Sequence, residues 1–179
     1  AFSLPITHLS AYSLMIEEGT KFFDRSSVKI DDEELSYEIF DFIKENNFTQ
    51  YEISNFAREE KYESKHNYGY WEHKEYLGIG AGAVGYVNNR RYYPTKSIEE
   101  YIENPFKMEY EPIDSEDIKT EKILLGFRCS NGVEISLFTK KELEKVSDLI
   151  ENDKVFKKDK RIYNKNFLLS DELALYILE

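Results

Sequence analysis

His66 opens the segment where chemistry-bearing residues crowd most densely, HNYGYWEHKEYLGIGAGAVGYV over 66–87. It holds two of the three histidines, the only tryptophan and five of the eight glycines. Imidazole is the usual protein ligand of haem iron, so His66 is a candidate axial ligand. Tyr68, Tyr70 and Trp71 supply rings that stack on a porphyrin or fill a core. Taken by itself, a lone histidine among tyrosines reads first as a hydrogen-bonded structural residue. His66 and His73 stand two helical turns apart. Even beside Glu72 and Glu75 that is a poorer zinc spacing than i,i+4.

Gly80 to Gly85 (GAGAVG) matches the dinucleotide pattern GxGxxG letter for letter. That fingerprint works by opening a helix whose N-terminus meets a pyrophosphate, whereas Tyr86-Val87-Asn88-Asn89 reads as strand and turn. Close backbone packing in a bulged strand is the default reading. Glycines that let a flat cofactor approach the main chain are the other. Cys129, the only cysteine, excludes an intrachain disulfide and a cysteine-built metal site, and it suits a small buried role near a helix end. The formal net charge of −11 argues against a nucleic-acid binder. The basic run Lys157-Lys158-Asp159-Lys160-Arg161 therefore reads as a solvated turn. No apolar run reaches the ~20 residues of a membrane span, no signal peptide is visible, and the acidic composition fits a cytoplasmic protein. A start without methionine suggests a piece of a longer chain.

These residues need elements to position them. His8–Ile16 reads as a strand with His8, Ser10, Tyr12 and Leu14 on one face. Asp31 with Glu34 forms a capping box before the stripe Leu35, Ile39, Phe42 and Ile43, and Asn46-Asn47 suits a left-handed helix end. Thr49–Phe56 reads as a second strand. Strand, helix and strand with short connections predict a parallel pair. Val84–Val87 and Arg90–Tyr93 around Asn88-Asn89 read as a hairpin, and Ser97 with Glu100 caps a short helix. Pro105–Pro112 reads as a linker, dividing the chain into 1–105 and 106–179. Beyond it come a helix from Ser115 to near Asn131-Gly132, another capped by Thr139 and Glu142, a small hairpin around 157–161 and a helix from about Asp171. That order is winged-helix-like.

The run YEISNFAREEKYESKHNYGYWEHKEYLGIGAGAVGYVNNRRY, with HLSAYSLMIEEGTKF before it and LLGFRCSNGVEI after it, resembles the radical-SAM proteins of the oxygen-independent coproporphyrinogen III oxidase family. Within that family His66-Asn67-Tyr68-Gly69-Tyr70-Trp71 is similar to the HNxxYW motif of the HemW-type haem chaperones. The resemblance implies an α/β (α+β) fold: the C-terminal part of a partial radical-SAM (β/α) barrel, 1–105, followed by a small helical winged-helix-like domain, 106–179. It implies haem binding at His66, Asn67, Tyr70 and Trp71, with His66 on the iron. It also implies an S-adenosylmethionine pocket bordered by Leu14 and Val84. The family's CxxxCxxC cluster motif is absent, so S-adenosylmethionine and the [4Fe-4S] cluster belong to the full-length parent, and no radical chemistry is expected of this chain alone. Haem delivery to an acceptor protein is the expected function. Coproporphyrinogen III dehydrogenation and a non-catalytic partner-docking module are the alternatives.

Overall fold

The computed structural model describes residues 2–14, 16, 18–21, 23 and 33–179. The chain forms two compact units, Ala1–Ser64 and Lys65–Glu179. The boundary expected at 105–106 therefore falls inside the second unit.

In the first unit, β1 (His8–Ser10), β2 (Thr49–Gln50) and β3 (Asn55–Ala57) form a three-stranded sheet in the order β1-β3-β2. Both pairings are antiparallel, His8 opposite Ala57 and Thr49 opposite Ala57. This corrects the expected parallel pair. Thr49–Phe56 is not one strand but a tight hairpin, because its polar centre satisfies itself. The Tyr51 N–H donates to the Asn55 carbonyl at 3.1 Å, and the Ser54 N–H donates to Glu52 Oε1 at 3.0 Å. Side chains that offer the backbone such local bonds compete with an extended ladder. β1 and β2 still run in the same direction, with β3 between them.

Helix α1 (Glu33–Glu45) precedes this hairpin. The Asp31 cap expected for it lies outside the described residues, as does Met15 of the expected first strand. Asn47 ends the helix with φ 64°, in the left-handed conformation its amide side chain tolerates. α1 buries Phe40 and Ile43, while Leu35, Ile39 and Phe42 of the expected stripe are exposed. Phe40 meets Phe56 edge-on at 5.2 Å. The Arg58 guanidinium lies 4.4 Å over the Phe48 ring and donates to the Ile6 and Asn46 carbonyls.

The second unit opens with α2 (Lys65–Trp71) and continues through the glycine run into β4 (Gly85–Val87), β5 (Arg90–Pro94) and β6 (Met108–Pro112), an antiparallel sheet in that order. The β4–β5 turn is Asn88-Asn89, both with positive φ (52° and 56°), as a two-residue hairpin turn requires. The 105–112 stretch, read as a linker, thus carries β6, paired along its length with β5. α3 (Ile98–Glu103) is capped by Ser97, whose side chain accepts from the Glu100 N–H.

The rest is built on α4 (Ser115–Phe127), β7 (Val133–Glu134), α5 (Lys140–Glu151), β8 (Val155–Lys158), β9 (Arg161–Asn164) and α6 (Ser170–Leu178). The sheet runs β7-β9-β8, all antiparallel, giving the winged-helix-like order expected. Thr139 and Glu142 form the expected capping box, and a second one joins Asp114 to Asp117. Ile123, Phe127, Val133, Val146, Ile162 and Ile177 lead a single buried cluster. Buried Asn164 donates to the Phe127 carbonyl and to Ser170 Oγ, so the last carbonyls of α4 find donors inside the core. Arg128 grips Asp171 with two bonds of 2.8 and 2.6 Å, fastening α6 to the end of α4.

Candidate functional site

α2 carries the whole HNYGYW motif, and its 3.6-residue period divides it between faces. His66 and Tyr70, four apart, share one face, with ring centroids 4.9 Å apart at 89°. Tyr70 is propped in turn by Tyr76, 4.7 Å away at 70°. His66 and Tyr70 are exposed, whereas Asn67, Tyr68 and Trp71 are half-buried. Tyr68 and the residues just past Trp71 face the winged region. The Tyr68 and Ser130 hydroxyls lie 2.7 Å apart. The Asn131 amide donates to Glu72 Oε1 at 3.1 Å. His73 Nε2 lies 2.7 Å from Glu121 Oε2.

The helix stops at a Schellman motif, in which the His73 N–H donates to the Tyr70 carbonyl and the Lys74 N–H to the Gly69 carbonyl, each at 2.9 Å. His73 occupies the left-handed position of that motif, at φ 56°, where glycine is usual. The same residue caps the helix and reaches Glu121 on α4.

The three histidines now separate. His8 Nε2 is 2.7 Å from the Tyr51 hydroxyl, and His73 is held by Glu121. The His66 side chain makes no hydrogen bond or ion pair among the described residues. His66 and His73 have different partners, and no cluster of three or more His, Cys, Asp or Glu among the described residues could hold a metal ion. Sequence reading weighed His73 as half of a zinc pair and missed its anchoring role. Its partner lies 48 positions away.

Glu121 bonds Arg91 with its other oxygen, so one carboxylate ties α2 to β5. Burial pushes that carboxyl up, but the hydrogen bonds from Arg91 and His73 outweigh it and hold it below its ordinary value. Burial raises the neighbouring Tyr86 phenol, and the Glu121 and Glu75 charges push the same way.

The glycine run makes a turn and a strand, not a helix. A Cβ on Gly85 would lie 2.0 Å from the Tyr92 ring, and one on Gly78 would lie 2.2 Å from the Ala83 carbonyl oxygen. The Tyr92 hydroxyl accepts from the Gly78 N–H at 2.7 Å and donates back to the Gly78 carbonyl at 3.3 Å. The glycines serve close packing around Tyr92, and the dinucleotide reading falls. Val84 is half-buried just before β4, and Leu14, in the first unit, is 56% exposed. Cys129 is buried, with its thiol 3.9 Å from the Gly126 carbonyl. One buried thiol does not fit the three thiolates that the resemblance implies for a [4Fe-4S] cluster.

No family model matches the chain. It is 28% identical to the haem chaperone HemW of Lactococcus lactis over 95% of this chain and 50% of that protein. It is 33% identical to HemW of Bacillus subtilis over 79% of this chain and 40% of that protein. A mitochondrial radical S-adenosylmethionine domain-containing protein 1 of Dictyostelium discoideum is 30% identical over 74% of this chain and 38% of that protein. The solved structure of coproporphyrinogen III oxidase (HemN) from Escherichia coli, a radical-SAM enzyme, superimposes with a TM-score of 0.67 over 98% of this chain and 49% of that one, at 13% identity, and so shows the fold. The α+β class expected from the sequence is borne out, and no described helix is long and apolar enough to cross a membrane. The chain spans about half the length of the curated relatives it matches, is similar in sequence to HemW haem chaperones, and shares the fold of HemN.

Proposed function

We propose that this chain is the haem-binding part of a haem-delivering protein, with His66 as the ligand to the haem iron. One observation carries the reading. Among the three histidines, only His66 has its ring nitrogens uncommitted among the described residues, and it is exposed on the helix that bears the motif. Tyr70 holds the imidazole from the side through an edge-to-face contact, a geometry that orients the ring without using either nitrogen. Asn67 and Trp71, both half-buried, complete the motif on the adjacent face of α2. A haem-acceptor protein is the proposed partner, and coproporphyrinogen dehydrogenation gains no support from the residues present.

The test is haem titration of the chain and its variants, read in the Soret band. His66→Ala is expected to weaken binding and move the band, while His8→Ala leaves the band where it is. Equal affinity and equal spectra for wild type and His66→Ala would end the assignment of His66 to the iron.

A further inference from the structure

A cavity of about 370 Å³ in the second unit is bounded by Trp71, Lys74, Lys122, Asn131, Glu134 and Arg161. Its walls contain two donors that lack acceptors among the described residues. The Trp71 indole N–H is buried without a hydrogen-bond partner, a state that polar groups in folded proteins rarely keep. The Lys122 ammonium makes no close ion pair among the described residues, and only the charge of Glu134 acts on it at longer range. The other cations are committed. Arg161 donates to the Asn131 and Gly132 carbonyls and to Glu134 at 2.7, 3.2 and 2.9 Å, and Lys74 pairs with Glu72. The walls therefore hold three cations against two carboxylates, Glu72 and Glu134, in a chain whose formal net charge is −11. Val133 and Leu137 add an apolar wall.

We infer that this cavity seats a carboxylate carried on a short hydrocarbon arm, with Lys122 as its counter-ion and the Trp71 indole as a hydrogen-bond donor. The excess positive charge selects the anion, and the apolar wall selects the arm. The ammonium stands exposed at the rim and meets the carboxylate first. The indole N–H is closed from solvent, and the proposed bond requires the ring to turn it toward the cavity. Two sources carry such an arm: a free short-chain acid, and the propionate of a porphyrin. The second source rests on the haem reading above, and the first does not.

Trp71 is the only tryptophan, so intrinsic emission reports on this cavity alone. The chain is titrated with sodium butyrate against sodium chloride at matched ionic strength. A saturable emission change is expected with butyrate only. Lys122→Met should weaken it by about tenfold or more, the scale of losing one charge-assisted hydrogen bond, while Lys154→Met, outside the cavity, leaves it intact. Trp71→Phe, followed by calorimetry, should also bind more weakly. No saturable response, or equal affinity in Lys122→Met with its fold intact by circular dichroism, overturns the inference. Protoporphyrin IX and its dimethyl ester then identify the source. Dependence on Lys122 for the free acid but not the ester assigns the arm to a porphyrin. Porphyrin binding indifferent to Lys122, with the butyrate response intact, assigns it to a free acid. If haem fails to bind the wild type while butyrate binds, the haem reading falls and the carboxylate seat stands.

Discussion

The imidazole Nε2 of His73 lies 2.7 Å from Glu121 Oε2, joining the end of the motif helix to α4. The His73 side chain is only 6% exposed and that of Glu121 22%, so this bond is made largely out of water. Its loss should be felt in stability rather than at the iron. His73→Ala is expected to lower stability by about 1–3 kcal/mol, the usual range when a buried polar partner is removed. His73→Gly should lose less than His73→Ala by about 1 kcal/mol, because glycine relieves the left-handed backbone of the Schellman position. Urea unfolding of the two variants checks the order, and equal losses would show that the backbone position is unstrained. The Soret band of either variant should match that of wild type.

The Glu121 carboxyl sets a pH dependence. Its hydrogen bonds from Arg91 and His73 hold it below the ordinary value of 4.5 against the upward push of burial. A carboxyl depressed in the folded state contributes stability that is fully present above its unfolded value and is lost as pH falls through its folded one. Thermal melts of wild type and Glu121→Gln should therefore differ most above about pH 5 and converge as the pH drops below 4. A gap that stays constant down to pH 3 would mean that Glu121 acts by packing alone.

What the sequence made legible was local. The Asn88-Asn89 turn, the Ser97 cap and the Thr139–Glu142 capping box depend on residues two to four apart, and all three stand as expected. What it hid was contact at long range or a competition between bonding patterns. Thr49–Phe56 has the composition of one strand, yet Glu52 folds back on the Ser54 N–H and splits it into a hairpin, so the expected parallel pair became two antiparallel ones. Proline at both ends of 105–112 disguised β6, whose interior pairs with β5. At the site, the motif showed which residues belong together. It did not show that α2 is fastened through Tyr68, Glu72 and His73 to partners at Ser130, Asn131 and Glu121.

Gly85 faces the Tyr92 ring where any side chain would collide. Gly85→Ala places a methyl 2.0 Å from the ring and should destabilise the second unit by about 1–3 kcal/mol, as overpacking does. Tyr92→Leu also costs stability, through the lost bonds to Gly78, but the double variant should lose less than the sum of the two. Additive losses in a double-mutant cycle would show that the two residues do not compete for one space.

Tyr70 separates orientation from ligation. Its ring stands edge-on to His66 at 4.9 Å and is itself supported by Tyr76, so it fixes the imidazole before any iron arrives. Tyr70→Leu keeps an apolar body on the exposed face of α2 but removes the ring, leaving His66 to lose rotamer freedom on binding. The aromatic contact is worth about 0.5–1.5 kcal/mol, which converts to a roughly two- to tenfold loss in haem affinity. Because the ligand atom is unchanged, the Soret band should keep its wild-type position, in contrast to His66→Ala, where it moves. Tyr70→Phe retains the ring and should restore the affinity, since the Tyr70 hydroxyl makes no hydrogen bond among the described residues. A shifted band in Tyr70→Leu, or a Tyr70→Phe variant as weak as Tyr70→Leu, would mean that the phenol oxygen rather than the ring acts at the iron.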